Sequence, residues 1–169
     1  MRRVSVLALA ALALCTGAAR AEWKQIPVVR LHATAQVAAP PAAVWAQLTH
    51  GRNLVTWCPM WKAPANAAVN LVRVGDALDF TDPWGNGGRS VVTFLAPGRE
   101  LRVAHEPAKG DYLCQAKITL APADGGTLVH YWEQYTDESG PGNLKATAAK
   151  VEADMAATLE SLRHAAERK

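Results

Sequence analysis

Apolar and polar side chains alternate over residues 30–38, "RLHATAQVA". Leu31, Ala33, Ala35 and Val37 share one side, and Arg30, His32, Thr34 and Gln36 the other. A period of two predicts a half-buried strand. The pattern then changes in "APPAAVWAQLTH", where Val44, Trp45 and Leu48 fall on one helical face and Pro40-Pro41 suits a helix start. Gly51 ends that helix, and "RNLVTWCP" predicts a second short helix or turn stopped by Pro59.

From about Asn66 to Asp137 the pattern is almost all strand: "VGDALDFTD", "RSVVTFLAPG", "RELRVAHEP", "DYLCQAKITLAP" and "TLVHYWEQYTD". Pro97-Gly98 and Gly125-Gly126 separate neighbouring runs, and short turns between close strands predict an antiparallel meander. After "ESGPGN", Leu144, Ala148, Val151, Met155, Leu159, Leu162 and Ala166 recur every three or four residues. They form one apolar stripe on a long helix, with Asn143 as the expected N-cap. Such a helix must bury its stripe on the sheet, so the fold class is α+β.

The N-terminus departs from these patterns. Arg2 and Arg3 precede an apolar run, Val4 to Cys15, and Ala19-Arg20-Ala21 supplies the small residues of a cleavage site. Residues 1–21 predict a secretory signal cut after Ala21, leaving 22–169 as a single domain. The apolar run is too short to span a bilayer, and Leu14 before Cys15 does not suit a lipoprotein site. The signal carries Arg2, Arg3 and Arg20 and no acid, so cleavage takes 18 basic residues to 15, against 15 acidic. A near-neutral chain without a basic run excludes the clustered charge that nucleic acid demands. The expected location is the periplasm or outside the cell, with no membrane span after cleavage.

The order strand, two short helices, strands and long terminal helix resembles the START/polyketide-cyclase (SRPBCC) superfamily. The stretches that carry the resemblance are "AAPPAAVWAQL", "WCPMW", "VGDALDF", "RELRVAHEP", "GGTLVHYWEQYTD" and the closing helix. Ala39, Pro40, Val44 and Trp45 match one family pattern, and Trp57 with Pro59 another. The resemblance implies a helix-grip fold: a curved antiparallel sheet wrapped around a long C-terminal helix, with two short helices after the first strand. It implies a cavity between sheet and helix for a lipid, a polyketide or an aromatic compound, and no cofactor. It places Trp57, Met60 and Trp61 at the cavity mouth; the bland alternative is that both tryptophans close the core.

Three functions are therefore in view. The first is an exported binder of a hydrophobic small molecule. The second is a cyclase or dehydratase using His105 and Glu133 as an acid/base pair, which requires both in one cavity within about 7 Å. The third is a non-catalytic envelope protein acting through its surface.

The candidate ligand-binding residues are Trp57, Met60, Trp61, Trp84, His105, Tyr112, Cys114, Trp132 and Tyr135. Glu133 lies on the face of Val129, Tyr131 and Tyr135, and Trp132 on the opposite face with Leu128 and His130; alternation does not say which face lines the cavity. "WCPMW" has no second cysteine for a redox pair. No ligand cluster predicts a metal. Cys58 and Cys114, which remain after cleavage, are candidates for a disulfide in an oxidising compartment. "PWGNGG" lacks the Lys-Ser/Thr of a phosphate loop and predicts a hairpin turn, with Trp84 over the pocket.

Overall fold

The computed structural model describes residues 27–61, 66–81, 85, 87–109, 112–137 and 141–168. The expectations for Trp84, for the side chains of Met60 and Tyr112, and for the signal segment 1–21 fall outside the described residues.

The elements run β1 (Val28–Val37), α1 (Pro41–Thr49), α2 (Gly51–Trp57), a single 3₁₀ turn (Pro59–Trp61), β2 (Ala77–Thr81), β3 (Gly87–Ala96), β4 (Glu100–Pro107), β5 (Tyr112–Ala123), β6 (Gly126–Asp137) and α3 (Pro141–Glu167). The six strands make one antiparallel sheet in the order β1-β6-β5-β4-β3-β2. β2 to β6 are a consecutive meander. β1 returns to pair with β6, so β1 and β2 stand at opposite edges and α1, α2 and the 3₁₀ turn connect them. This is the curved sheet, two short helices and long C-terminal helix of the helix-grip fold.

One face of the sheet is buried under the helices. α3 presents Val151, Met155, Leu159, Leu162 and Ala165, all buried, and packs chiefly on β1 with further contacts to α1, α2 and β6. Met155, Leu159 and Leu162 each contribute roughly 1.5–3 kcal/mol by leaving water. α1 adds Val44 and Leu48, and α2 adds Leu54 and Trp57, to the same core.

Three local features differ from the pattern reading. α3 begins at Pro141, so Asn143 lies within its first turn and is not the cap. Proline tolerates this start because its missing N–H would have no intrahelical partner there. The chain from 66 to 76 contains turns and one isolated bridge in place of a strand. It is held against the α1–α2 junction, where Leu71 N–H donates to Thr49 O (2.7 Å) and Gly51 N–H to Val69 O (3.1 Å).

That junction also explains Gly51. A Cβ there would stand 2.2 Å from Val69 O and 2.5 Å from Ala67 O. The glycine is therefore required by the close approach of another backbone segment. Finally, the β3–β4 register shifts between Val92 and Phe94, leaving Thr93 as an extra residue. A bulge of this kind bends its strand and increases the local twist.

Candidate functional site

The inward residues of three adjacent strands form a floor: Leu101, Val103 and His105 on β4, Ala116 and Ile118 on β5, and Tyr131 on β6. Strand alternation puts them on one side, and the antiparallel registers bring them together. Leu48 of α1, Leu54 and Trp57 of α2, Cys58, Trp61 and Thr158 of α3 close the opposite side. The cavity between them is about 30 Å³, room for one or two water molecules. Its described lining contains no Lys, Arg, Asp or Glu.

"WCPMW" supplies three of these lining residues. Cys58 ends α2, its N–H donating to Leu54 O (2.9 Å), and the 3₁₀ turn at Pro59 directs Trp61 back to the cavity. The two indoles differ. Trp57 Nε1–H donates to Gln47 O at 3.2 Å. Trp61 Nε1–H is buried and finds no acceptor among the described residues.

His105 is 4 % exposed and lies opposite Ser90 in the β3–β4 register. Its Nδ1 and the Ser90 hydroxyl are 2.8 Å apart, and Phe80 stands nearly perpendicular to its ring at 5.7 Å. Burial without an ionic partner lowers its pKa to about 4, so the imidazole is neutral at neutral pH. Ser90 is fully buried and holds the ring, a contact the sequence reading did not identify. It was recoverable only from the strand register.

Glu133 sits on a second polar cluster. Tyr131 Oη donates to its Oε2 at 2.8 Å and Cys114 Sγ to its Oε1 at 3.2 Å. Burial raises the carboxyl pKa, against the two hydrogen bonds, and Asp154 of α3 raises it further. Burial first, and then the charge of Glu133, raises both the Cys114 thiol and the Tyr131 phenol well above their ordinary values. Both therefore keep their protons, and Cys114 is no thiolate nucleophile.

Several expectations are corrected. His105 and Glu133 stand on strands flanking β5, with His105 bonded to Ser90 and Glu133 to Tyr131 and to Cys114, the residue opposite His105 in the β4–β5 register. Cys58 and Cys114 are both thiols rather than a disulfide; the Cys114 sulfur is turned to Glu133. Trp132 lies on the outer face, because the inward positions of β6 are Val129, Tyr131, Glu133 and Tyr135. There it stacks with His32 at 4.6 Å and His130 at 5.2 Å, under Lys117 Nζ at 3.9 Å. Tyr135 is buried on the inner face, in register with Cys114, and is not among the described lining residues of the cavity.

Among the described residues, no group of three or more His, Cys, Asp or Glu could hold a metal. None of the described helices is long and apolar enough to cross a membrane.

The sequence matches the family described as polyketide cyclase/dehydrase and lipid transport over residues 28–167. Solved structures share the fold at low identity. CV1439 from Chromobacterium violaceum is 19% identical with a TM-score of 0.64, covering 84% of this chain and 98% of its own. CalU16 from Micromonospora echinospora is 18% identical with a TM-score of 0.57, covering 83% and 74%. DynU16, a protein of the dynemicin biosynthetic locus, is 20% identical with a TM-score of 0.59, covering 81% and 46%. No curated protein matches this sequence. The sheet packed on α3, the cavity between its floor and the α1–α2 and 3₁₀ wall, and the family match over residues 28–167 converge: the chain belongs to the polyketide cyclase/dehydrase and lipid transport family of the SRPBCC superfamily.

Proposed function

We propose that this protein is exported and binds a hydrophobic small molecule, a lipid, polyketide or aromatic compound, between the sheet and α3. The observation that carries the reading is the lining: Leu48, Leu54, Trp57, Trp61, Leu101 and Ile118 converge on one interior space, with no Lys, Arg, Asp or Glu among its described residues. An apolar ligand gains from every part of such a wall. At about 30 Å³ the described cavity is small. A ligand larger than one or two water molecules therefore needs this space to widen. The family description, and the biosynthetic locus of DynU16, support a hydrophobic ligand. Export rests on the signal pattern of residues 1–21.

Expression from the full sequence in a bacterial host, followed by cell fractionation, tests both parts. The expected result is a periplasmic or secreted chain starting at Glu22 by intact mass, carrying an extractable apolar compound in native mass spectrometry. A chain retaining residues 1–21 refutes export. A chain that stays empty and takes up no fatty acid or fluorescent apolar probe refutes binding.

One observation favours a second reading, a cyclase or dehydratase. Glu133, raised by burial and bonded to Tyr131, has the character of a buried acid. This reading predicts that any recovered ligand is converted on incubation, and that Glu133→Gln stops the conversion. Unchanged turnover in that variant would remove Glu133 from the chemistry.

A further inference from the structure

We infer that His32 and His130, on the outer face of the sheet, form a two-histidine site for a divalent transition metal, copper(II) before zinc(II). The two residues come from neighbouring antiparallel strands. His32 lies opposite Trp132 in the β1–β6 register and Thr34 opposite His130, so the histidines are diagonal neighbours on one face. Their Nε2 and Nδ1 atoms are 3.2 Å apart. The rings are within 6° of parallel, with centroids 5.4 Å apart. That separation is close to the N···N distance plus two ring radii, so the rings meet edge to edge in nearly one plane. Without metal, one nitrogen donates its proton to the other. When that proton sits on the far nitrogen of its own ring, both facing nitrogens present lone pairs.

The span suits one ion. With metal–nitrogen bonds of about 2.0–2.1 Å, nitrogens 3.2 Å apart subtend about 100–106° at a shared metal, near the tetrahedral angle. Tilting each ring by roughly 40° within the common plane turns both lone pairs onto that point. Trp132 lies nearly parallel to both rings, at 4.6 Å from His32 and 5.2 Å from His130, and an in-plane tilt keeps that stacking. His32 is exposed and His130 half-buried, so solvent reaches the pair.

The neighbours select the class of ion. The outward residues around the pair, Arg30, Thr34, Lys117, Thr119 and Gln134, include no carboxylate. Calcium and magnesium demand several oxygen ligands, whereas imidazole suits copper, zinc and nickel, with copper(II) bound most tightly. Lys117 comes from β5, across β6 from β1, and its Nζ lies 3.9 Å from the centre of the Trp132 ring. The indole therefore stands between the ammonium and His32. No third His, Cys, Asp or Glu joins the pair among the described residues, which leaves the other coordination positions to water. The site lies on the opposite side of the sheet from the cavity and does not depend on the proposed ligand.

Calorimetry on the untagged protein at pH 7.5, with copper(II), zinc(II) and magnesium chlorides, tests this. One copper(II) per chain should bind, tighter than zinc(II), with no binding of magnesium. His32→Gln and His130→Gln should each weaken copper(II) binding by about ten-fold or more, because the second imidazole acts at the high effective concentration of a tethered ligand. His164, paired with Glu160 on α3, is the competing candidate, and His164→Gln should leave the affinity unchanged. Absence of copper(II) binding overturns the inference, as does an affinity that survives either His32→Gln or His130→Gln. Where a variant does not fold, NMR of the wild type gives the answer. Zinc(II) should shift the imidazole signals of His32 and His130 together; shifts at His50 or His164 with those two unmoved overturn the site.

Discussion

Acidification should destabilise this protein through His105 in particular. Its pKa falls from 6.5 when unfolded to about 4 when folded, because burial disfavours the charged ring, whose described partners are the neutral Ser90 hydroxyl and the Phe80 ring. Between those two values the unfolded chain binds a proton at this site and the folded chain does not. Stability therefore falls as pH drops from about 6.5 to about 4 and levels off below. The difference is about 2.5 pKa steps of 1.36 kcal/mol each, and at pH 4 roughly 3 kcal/mol of it is realised. Against a typical domain stability of about 5–15 kcal/mol, that is a large share. Urea unfolding followed by circular dichroism, at pH 7 and pH 4, should be run on the wild type and on His105→Gln. Other groups titrate in both proteins, so the informative quantity is how the gap between them changes. The variant should gain roughly 3 kcal/mol on the wild type between pH 7 and pH 4. A gap that stays constant, or a His105 NMR titration with its midpoint near 6.5, would refute the reasoning.

Glu133 titrates with the opposite sign. Its folded pKa is raised, so burial of the ionised form costs stability that appears as pH rises above 4.5 and is complete above the folded value. Over that interval Glu133→Gln should gain on the wild type in the same unfolding assay; a wild type that gains on the variant contradicts the assignment. Gly51→Ala drives a methyl into Val69 O and Ala67 O, and should cost more than 2 kcal/mol, about the scale of severe local strain, read as a lowered urea midpoint. A midpoint equal to that of the wild type would mean that the two backbone segments are not in contact. Trp132→Ala removes a ring from the outer face and should leave the affinity for 2-ethylnaphthalene unchanged by calorimetry. A loss of ten-fold or more would place Trp132 at the ligand instead.

Much of the fold was visible in side-chain periods. The alternation of "RLHATAQVA" and "DYLCQAKITLAP" gave strands that the structure contains as β1 and β5, and the three-four spacing from Val151 to Leu162 gave the buried stripe of α3. Period two alone does not orient a strand with aromatic residues on both sides. β6 is such a strand, with Tyr131 and Tyr135 alternating with His130 and Trp132. Only pairing with β1 and β5 reveals that Trp132 is covered by His32 and Lys117 outside the cavity. The same limit hid the bond of Ser90 to His105 and those of Glu133 to Tyr131 and Cys114. These contacts depend on register, which a single sequence encodes only through the whole set of turns and bulges. The role of Gly51 was hidden for a related reason: the backbone that crowds it lies 16 to 18 residues further along the chain.

The central claim is that the space between the sheet and the helices that cover it receives an apolar ligand. Methyl-labelled NMR during titration with 2-acetylnaphthalene tests it most directly. The account predicts saturable shifts at Leu48, Leu54, Leu101, Val103 and Ile118, which line the cavity. Shifts confined to the exposed Val28, Val72, Val74 and Leu113, with the cavity methyls unmoved, would contradict it.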